Sequence, residues 1–309
     1  MPTQNFADRL ASGQNILLDG GTGSELQRRG VNIARGWNKA GDIGPWSAVA
    51  NKTAPDAVRQ VHTDYLDLGA DIITTNTFWG NRSRMGVASL ANDWEEYTRL
   101  AAEIALASRD AVNSEAYVAA GIAPSPGDGD SYEDLRDQAA VLAEMGVDAI
   151  LTEYVGSVEK VRQSVRAAAP TGLPLLLGLC HFDEQGRLAR DGGTMEQVVA
   201  AVREEGVRVD AMLLMCSMPE DISRTLPVLQ NAFEGPVGAY ANVGYTGAGG
   251  LKGDDPDVQL RGSNIGENTP ENYARFGQEW LDMGAQIVGG CCATTPDHIA
   301  AIAPVVKPA

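Results

Sequence analysis

Eight short apolar runs, separated by helix-like stretches, set the limits on this chain's fold. They are residues 15–21 (NILLDGG), 71–78 (DIITTNTF), 117–123 (YVAAGIA) and 148–154 (DAILTEY), then 174–180 (PLLLGLC), 210–216 (DAMLLMC), 236–243 (PVGAYANV) and 285–291 (AQIVGGC). Each is about one strand long and most are continuously apolar, as strands buried on both faces of a parallel sheet are. Helical patterns follow at 55–69, 93–112, 131–146, 157–169, 194–206, 219–230, 270–284 and 295–303. Ser131 with Asp134 three residues on has the form of a capping box. Thr269–Pro270 and Thr295–Pro296 have the form of a cap followed by the first helical position.

Eight strand–helix units predict an α/β fold, a (β/α)8 TIM barrel, with residues 1–309 as one domain. A doubly wound open sheet is the alternative. The count of eight and the lack of a GxGxxG fingerprint weigh against it. The long first connection (22–54) and the glycine-rich seventh (244–269) are expected to be active-site loops.

Composition narrows the function. The net charge of −17 repels nucleic acid and anionic membranes. No run approaches the length of a membrane span. Residues 1–14 lack the charge and apolar core of a signal peptide. Four cysteines in 309 residues make no disulfide framework, so a reduced, cytoplasmic protein is expected.

In a barrel of this kind, chemistry sits at the C-terminal ends of the strands. Those ends carry Asp19, Thr75, Glu153, Cys180, Cys216, Asn242, Cys291 and Cys292. Cys216 ends the sixth run and Cys291 the eighth, so three sulfurs can converge with one strand between them. They could be inert packing residues, a strained vicinal disulfide beside a third thiol, or a metal site. Zn²⁺ takes soft sulfur readily, and three protein ligands leave a fourth position open. Gly289 and Gly290 are expected to let the backbone bend so that both neighbouring cysteines face one ion. Cys180 is expected to be a packing residue, and His181 has no stronger claim as a ligand.

A three-sulfur zinc is a poor Lewis acid and suits the binding of a thiol as thiolate, which points to alkyl transfer. Asp19 and Glu153 are suited to an α-ammonium group, and Thr75 could add a hydroxyl. Gly20, Gly21 and Gly23 form an open turn whose amides suit a carboxylate. A zinc hydrolase or lyase would want histidine ligands, and the three histidines form no HxH or HExxH pattern. A non-catalytic zinc-binding barrel and transfer to another small thiol are further alternatives.

The stretches LLDGGTGSELQRRG (17–30), HTDYLDLGADIITTNTF (62–78), LTEY (151–154), CSMPEDI (216–222) and GGCCATTPDHI (289–299) resemble the homocysteine S-methyltransferase family. The resemblance implies zinc held by Cys216, Cys291 and Cys292, and homocysteine bound as thiolate. Asp19, Gly20, Thr75, Glu153 and Asn242 would surround the amino acid, and the product would be methionine. Family donors include betaine, S-methylmethionine and, in multidomain relatives, methylcobalamin, for whose domains this chain has no spare length. Trp46, Trp79 and Tyr154 look like the aromatic donor pocket of the betaine enzyme, where faces bind onium cations. Three positions depart from the pattern. Met215 stands where asparagine is common, Ala241 where proline is, and Ala293 where glycine is. Oligomeric state is left open.

Overall fold

The computed structural model describes residues 2–33, 44–244 and 268–308. The eight runs form eight strands: β1 (Ile16–Leu17), β2 (Ile72–Thr74), β3 (Tyr117–Ile122), β4 (Ala149–Val155), β5 (Leu175–Cys180), β6 (Ala211–Met215), β7 (Val237–Ala241) and β8 (Ile287–Gly290). All pairings are parallel, in the order β1-β8-β7-β6-β5-β4-β3-β2. A parallel bridge between Leu18 and Ile72 joins the two ends. The Asp19 amide adds a bond to the Ile72 carbonyl at 3.0 Å, and the Asp71 amide one to Leu17 at 2.8 Å. The sheet is therefore a closed (β/α)8 barrel.

Alternation along each strand divides the core in two. Ile16, Leu18, Ile72, Ala119, Leu151, Leu176, Leu213 and Ile287 point into the barrel, with Met215 and Tyr240 above them. Leu17, Ile73, Val118, Ile150, Leu177, Met212, Ala239 and Val288 face the surrounding helices. Both faces are buried, which is why the runs are apolar throughout rather than alternating.

Helices Pro55–Asp67, Trp94–Val112, Tyr132–Glu144, Val158–Ala168, Met195–Glu204, Pro219–Ala232, Pro270–Asp282 and Pro296–Val306 fill the expected places. Thr269 accepts a bond from the Asn272 amide, as its position before Pro270 suggested. Ser131 does not cap its helix. Its hydroxyl instead accepts from Lys160 Nζ at 2.9 Å and from the Ser125 amide at 3.1 Å. A buried ammonium needs acceptors more urgently than a helix terminus open to water does, so the cap is lost to it.

Several short helices were not foreseen, among them Phe6–Ala11 and Arg82–Val87. Phe6–Ala11 lies at the N-terminal ends of the strands and inserts Phe6 and Leu10 into the interior cluster. The Phe6 and Tyr117 rings meet there at 5.0 Å. These side chains close the bottom of the barrel interior. The first long connection contributes Thr22–Arg28, a 3-10 turn at Trp46–Val49 and Ala50–Thr53. The seventh lies almost wholly outside the described residues. No described helix is long and apolar enough to cross a membrane.

Candidate active site

The top of the barrel interior is built from small residues beside large ones. Gly121 sits beside Glu153: a Cβ there would lie 2.8 Å from Glu153 Oε2 and 2.6 Å from the Thr74 methyl. Gly178 makes the matching space on β5, on the other side of β4. Its Cβ would meet Tyr240 Oη at 2.8 Å and Met215 Sδ at 3.0 Å. These gaps let long polar side chains stand at the end of a barrel that is otherwise filled.

The register of β4 against β5 shifts between Thr152 and Val155. Tyr154, within this bulge, has φ of 59°. A bulge re-aims side chains, and here it marks the point where apolar packing gives way to Glu153 and Tyr154. His181 (φ 61°), Cys216 (φ 44°), Ala293 (φ 62°) and Trp46 (φ 46°) are also left-handed without being glycine. Such residues are uncommon, and bulky ones are outliers. Their concentration around one rim marks a site held in shape by its surroundings.

A cleft opens between these loops. Its walls include Asp19, Gly20, Trp46, Thr75, Phe78 and Glu153, with Cys216, Cys291 and Cys292 in the same lining. The three Sγ atoms lie within 4.8 Å of one another and can hold a metal ion. Cys216 is 3.6 Å from Cys292, and Cys291 is 3.9 Å from Cys292. All the described cysteines are free. The three titrate together. Donation from Cys216, then from Cys291, holds Cys292 well below the ordinary thiol range. The bond to Cys291, with burial, pushes Cys216 well above it. Cys180 lies outside this trio, fully buried in the barrel interior, and burial pushes its thiol well up.

The glycines before the cysteine pair work differently from expectation. Gly289 and Gly290 lie in β8 without a left-handed φ. They permit close approach: a Cβ on Gly290 would lie 2.3 Å from Thr294 Oγ1, and one on Gly289 2.6 Å from the Leu18 Cβ. The bend falls at Cys216 and Ala293 instead. Ala293 is fixed by the hydrogen bond that its amide N–H donates to Ser24 Oγ at 2.9 Å. Ala241, where proline is common, keeps an amide that donates to Tyr273 Oη at 3.0 Å. Tyr273 donates in turn to the Gly289 carbonyl at 2.6 Å, tying β7 to β8 below the cysteine pair.

Two carboxylates face the trio. Asp19 accepts from the Thr74 amide at 2.7 Å and from Thr74 Oγ1 at 3.2 Å. Burial nevertheless pushes its pKa up to about 8. Glu153 is pushed well above its usual range by burial, by Cys291 and by Asp19. For both, burial disfavours the charged form, and a cation bound beside them would favour it. Thr75 lines the cleft, but its hydroxyl is engaged with Thr77 Oγ1 at 2.6 Å and with the Gly121 amide at 3.1 Å. Asn242 stands beside the cleft rather than in its lining, and its side chain accepts from the Gly244 amide at 2.9 Å.

The aromatic residues form a connected group. Phe78 lines the cleft and meets Trp46 at 6.2 Å, Tyr154 at 5.7 Å and Trp79 at 5.0 Å. Trp46 is in the lining; Trp79 and Tyr154 stand one ring behind it. The Arg84 guanidinium already lies over the Trp79 ring at 4.7 Å. His181 packs edge-on to Tyr154 at 5.0 Å. Phe78, Met215 and Tyr240 are lining residues that the sequence did not single out as ligand contacts.

The homocysteine S-methyltransferase family model matches residues 16–306. The chain belongs to the homocysteine S-methyltransferase family. The selenocysteine methyltransferase of Astragalus bisulcatus is 26% identical, the match covering 94% of this chain and 92% of that one. Betaine–homocysteine S-methyltransferase 1 of Bos taurus is also 26% identical, over 99% of this chain and 75% of its own. The metallated form of the homocysteine methyltransferase MmuM from Escherichia coli shares the fold, with TM-score 0.74 and 22% identity over 96% of this chain and 98% of that one. Within the family's barrel, the three sulfurs and two carboxylates described above occupy one cleft.

Proposed function

We propose that this enzyme moves a methyl group from an onium donor, of the betaine or S-methylmethionine class, to the thiolate of L-homocysteine, giving methionine. The observation that carries this reading is the meeting of Cys216, Cys291 and Cys292 with Asp19 and Glu153 in one floored cleft.

The metal proposed is zinc. Tetrahedral zinc–sulfur bonds of ~2.3 Å set neighbouring sulfurs roughly 3.8 Å apart. The Sγ separations of 3.6 and 3.9 Å fit that spacing. Bound there, zinc supplies an open position that keeps a substrate thiol as thiolate near neutral pH.

The chain's own residues do the rest. Asp19 and Glu153 receive the α-ammonium group, whose single positive charge balances the ionisation of one of the two carboxyls and favours the charged form. The turn from Gly20 leads into helix Thr22–Arg28, whose first amides carry positive partial charge suited to the α-carboxylate. Phe78 and Trp46, backed by Tyr154, offer ring faces to the donor cation. The acceptor sulfur's electron pair forms the new bond to the methyl carbon as the donor's C–N or C–S bond breaks. The donor leaves neutral at its onium atom, as dimethylglycine from betaine or methionine from S-methylmethionine. No general acid is needed. The protein contributes alignment and a prepared nucleophile.

Zinc-loaded protein is incubated with homocysteine and, separately, betaine, S-methylmethionine, dimethylsulfoniopropionate or S-adenosylmethionine, with cysteine as a control acceptor. Methionine formed from a betaine- or S-methylmethionine-type donor supports the assignment. No product with any donor defeats it.

A further inference from the structure

Glu153 and Asp19 are held in different ways. Asp19 takes two bonds from Thr74, on the neighbouring β2. Glu153 has one hydrogen-bond partner among the described residues, the hydroxyl of Tyr240, which donates to Oε1 at 3.2 Å. Tyr240 stands on β7, across the barrel interior from β4, and is 2% exposed. Its ring reaches over β6 and β5 to do this, through the gap that Gly178 leaves open.

The same hydroxyl lies 3.2 Å from Met215 Sδ. A hydroxyl has one proton, and a thioether is a weak acceptor, so the proton goes to the carboxylate. Met215 meanwhile accepts the Tyr154 amide at 3.0 Å, at the left-handed residue directly after Glu153. Methionine at this position therefore braces the bulge from below without competing for the tyrosine's proton.

We propose that Tyr240 is a positioning residue for the acceptor amino group: it fixes the Glu153 carboxylate so that the enzyme selects thiols carrying an α-ammonium. This rests on the acceptor reading above. Tyr240 touches no reacting atom, and its effect on substrate passes through Glu153 alone. The prediction is selective. Loss of the hydroxyl weakens binding of an amino-bearing thiol and leaves its des-amino analogue untouched.

The test compares homocysteine with 4-mercaptobutanoate, which lacks only the amino group. Binding of each to zinc-loaded wild type, Tyr240→Phe, Glu153→Gln and the double variant is measured by calorimetry, with zinc content per chain determined in parallel. Tyr240→Phe is expected to raise the Kd of homocysteine about tenfold, the scale of one hydrogen bond to a charged group, and to leave that of 4-mercaptobutanoate and the zinc content unchanged. On the Glu153→Gln background it is expected to have no further effect. Equal weakening of both thiols would show a merely structural tyrosine, and an unchanged homocysteine Kd would overturn the proposal. The readout is binding, so wild type that binds homocysteine selectively but transfers no methyl group would defeat the proposed reaction and leave the Tyr240 assignment standing.

Discussion

Cys216 Sγ and Cys292 Sγ lie 3.6 Å apart although 76 positions separate them in the chain. The barrel makes the contact: both cysteines leave neighbouring strand ends, with β7 alone between β6 and β8. Cys291 completes the group from the adjacent residue. Two sulfurs cannot replace three, since each removed thiolate takes away both a ligand and a charge. Cys291→Ala is therefore expected to lose bound zinc after dialysis and methionine formation together. Metal analysis and a methionine assay on the same preparation check it. Stoichiometric zinc with full activity would remove Cys291 from the site.

Asp19 predicts opposite effects on binding and stability. Its pKa rises from 3.8 to about 8 on folding, chiefly through burial. Between those values the folded chain holds a proton that the unfolded chain has released. Stability contributed by this group therefore falls as pH rises from about 4 to about 8. Metal-free Asp19→Asn is expected to match wild type in denaturant unfolding near pH 4 and to exceed it at pH 8 by a few kcal/mol. The same variant should bind homocysteine at least tenfold more weakly, the scale of a lost charge-assisted bond. A variant less stable than wild type at pH 8 would contradict this.

The strands could be located in the sequence because burial on both faces leaves few polar letters, and the cysteine cluster followed from their order. Side-chain direction could not be read so directly. Phe78 ends an apolar run and Trp79 was expected in the donor pocket, yet Phe78 lines the cleft while Trp79 lies under Arg84. Tyr240 was hidden within an apolar run, and only the positions of β4, β6 and β7 bring it to Glu153 and Met215. The capping pattern at Ser131 failed for a related reason. Lys160 is distant in sequence, so its claim on that hydroxyl is invisible locally.

Phe78 gives a donor-side prediction. It is the ring that joins Trp46 to Tyr154 within the aromatic group. Phe78→Leu keeps an apolar wall but removes the π-face, worth ~1 kcal/mol for a partly exposed cation. The donor KM is expected to rise about fivefold, with the homocysteine KM unchanged. Steady-state kinetics varying each substrate in turn decide it. An equal rise in both would mean that the ring only holds the cleft's shape.

His62 contributes to the response to acid. It is fully buried in helix Pro55–Asp67, and neither ring nitrogen has a hydrogen-bond partner among the described residues. Burial, helped by the Arg59 charge, lowers its pKa from 6.5 to about 4. Below 6.5 the unfolded chain takes up a proton that the folded chain refuses. Stability from this group is thus complete above pH 6.5 and is lost as pH falls towards 4, by ~3 kcal/mol at about 1.4 kcal/mol per pKa unit. His62→Leu is expected to remove that part of the slope, and parallel urea titrations at pH 7 and 4.5 would show it. An unchanged slope would place the acid sensitivity elsewhere.

Ala293 tests whether the turn after the cysteine pair is strained. Its φ is 62°, and its amide is tied to Ser24 Oγ. A left-handed residue with a Cβ costs ~1–2 kcal/mol, while glycine gives the unfolded chain extra freedom worth about 0.4–1 kcal/mol. Relief of the strain outweighs that freedom, so Ala293→Gly is expected to stabilise the protein by up to ~1 kcal/mol. Zinc content should be unchanged, because the Thr294 hydroxyl still donates to the Cys291 carbonyl at 2.6 Å and closes the same turn. Ala293→Val should act in reverse, since a β-branched side chain fits a left-handed backbone worst. It should lower both the melting temperature and the zinc retained after dialysis, because the residue it distorts is bonded directly to Cys292. If valine were tolerated as well as glycine, the turn would not be what aims the two adjacent sulfurs at Cys216.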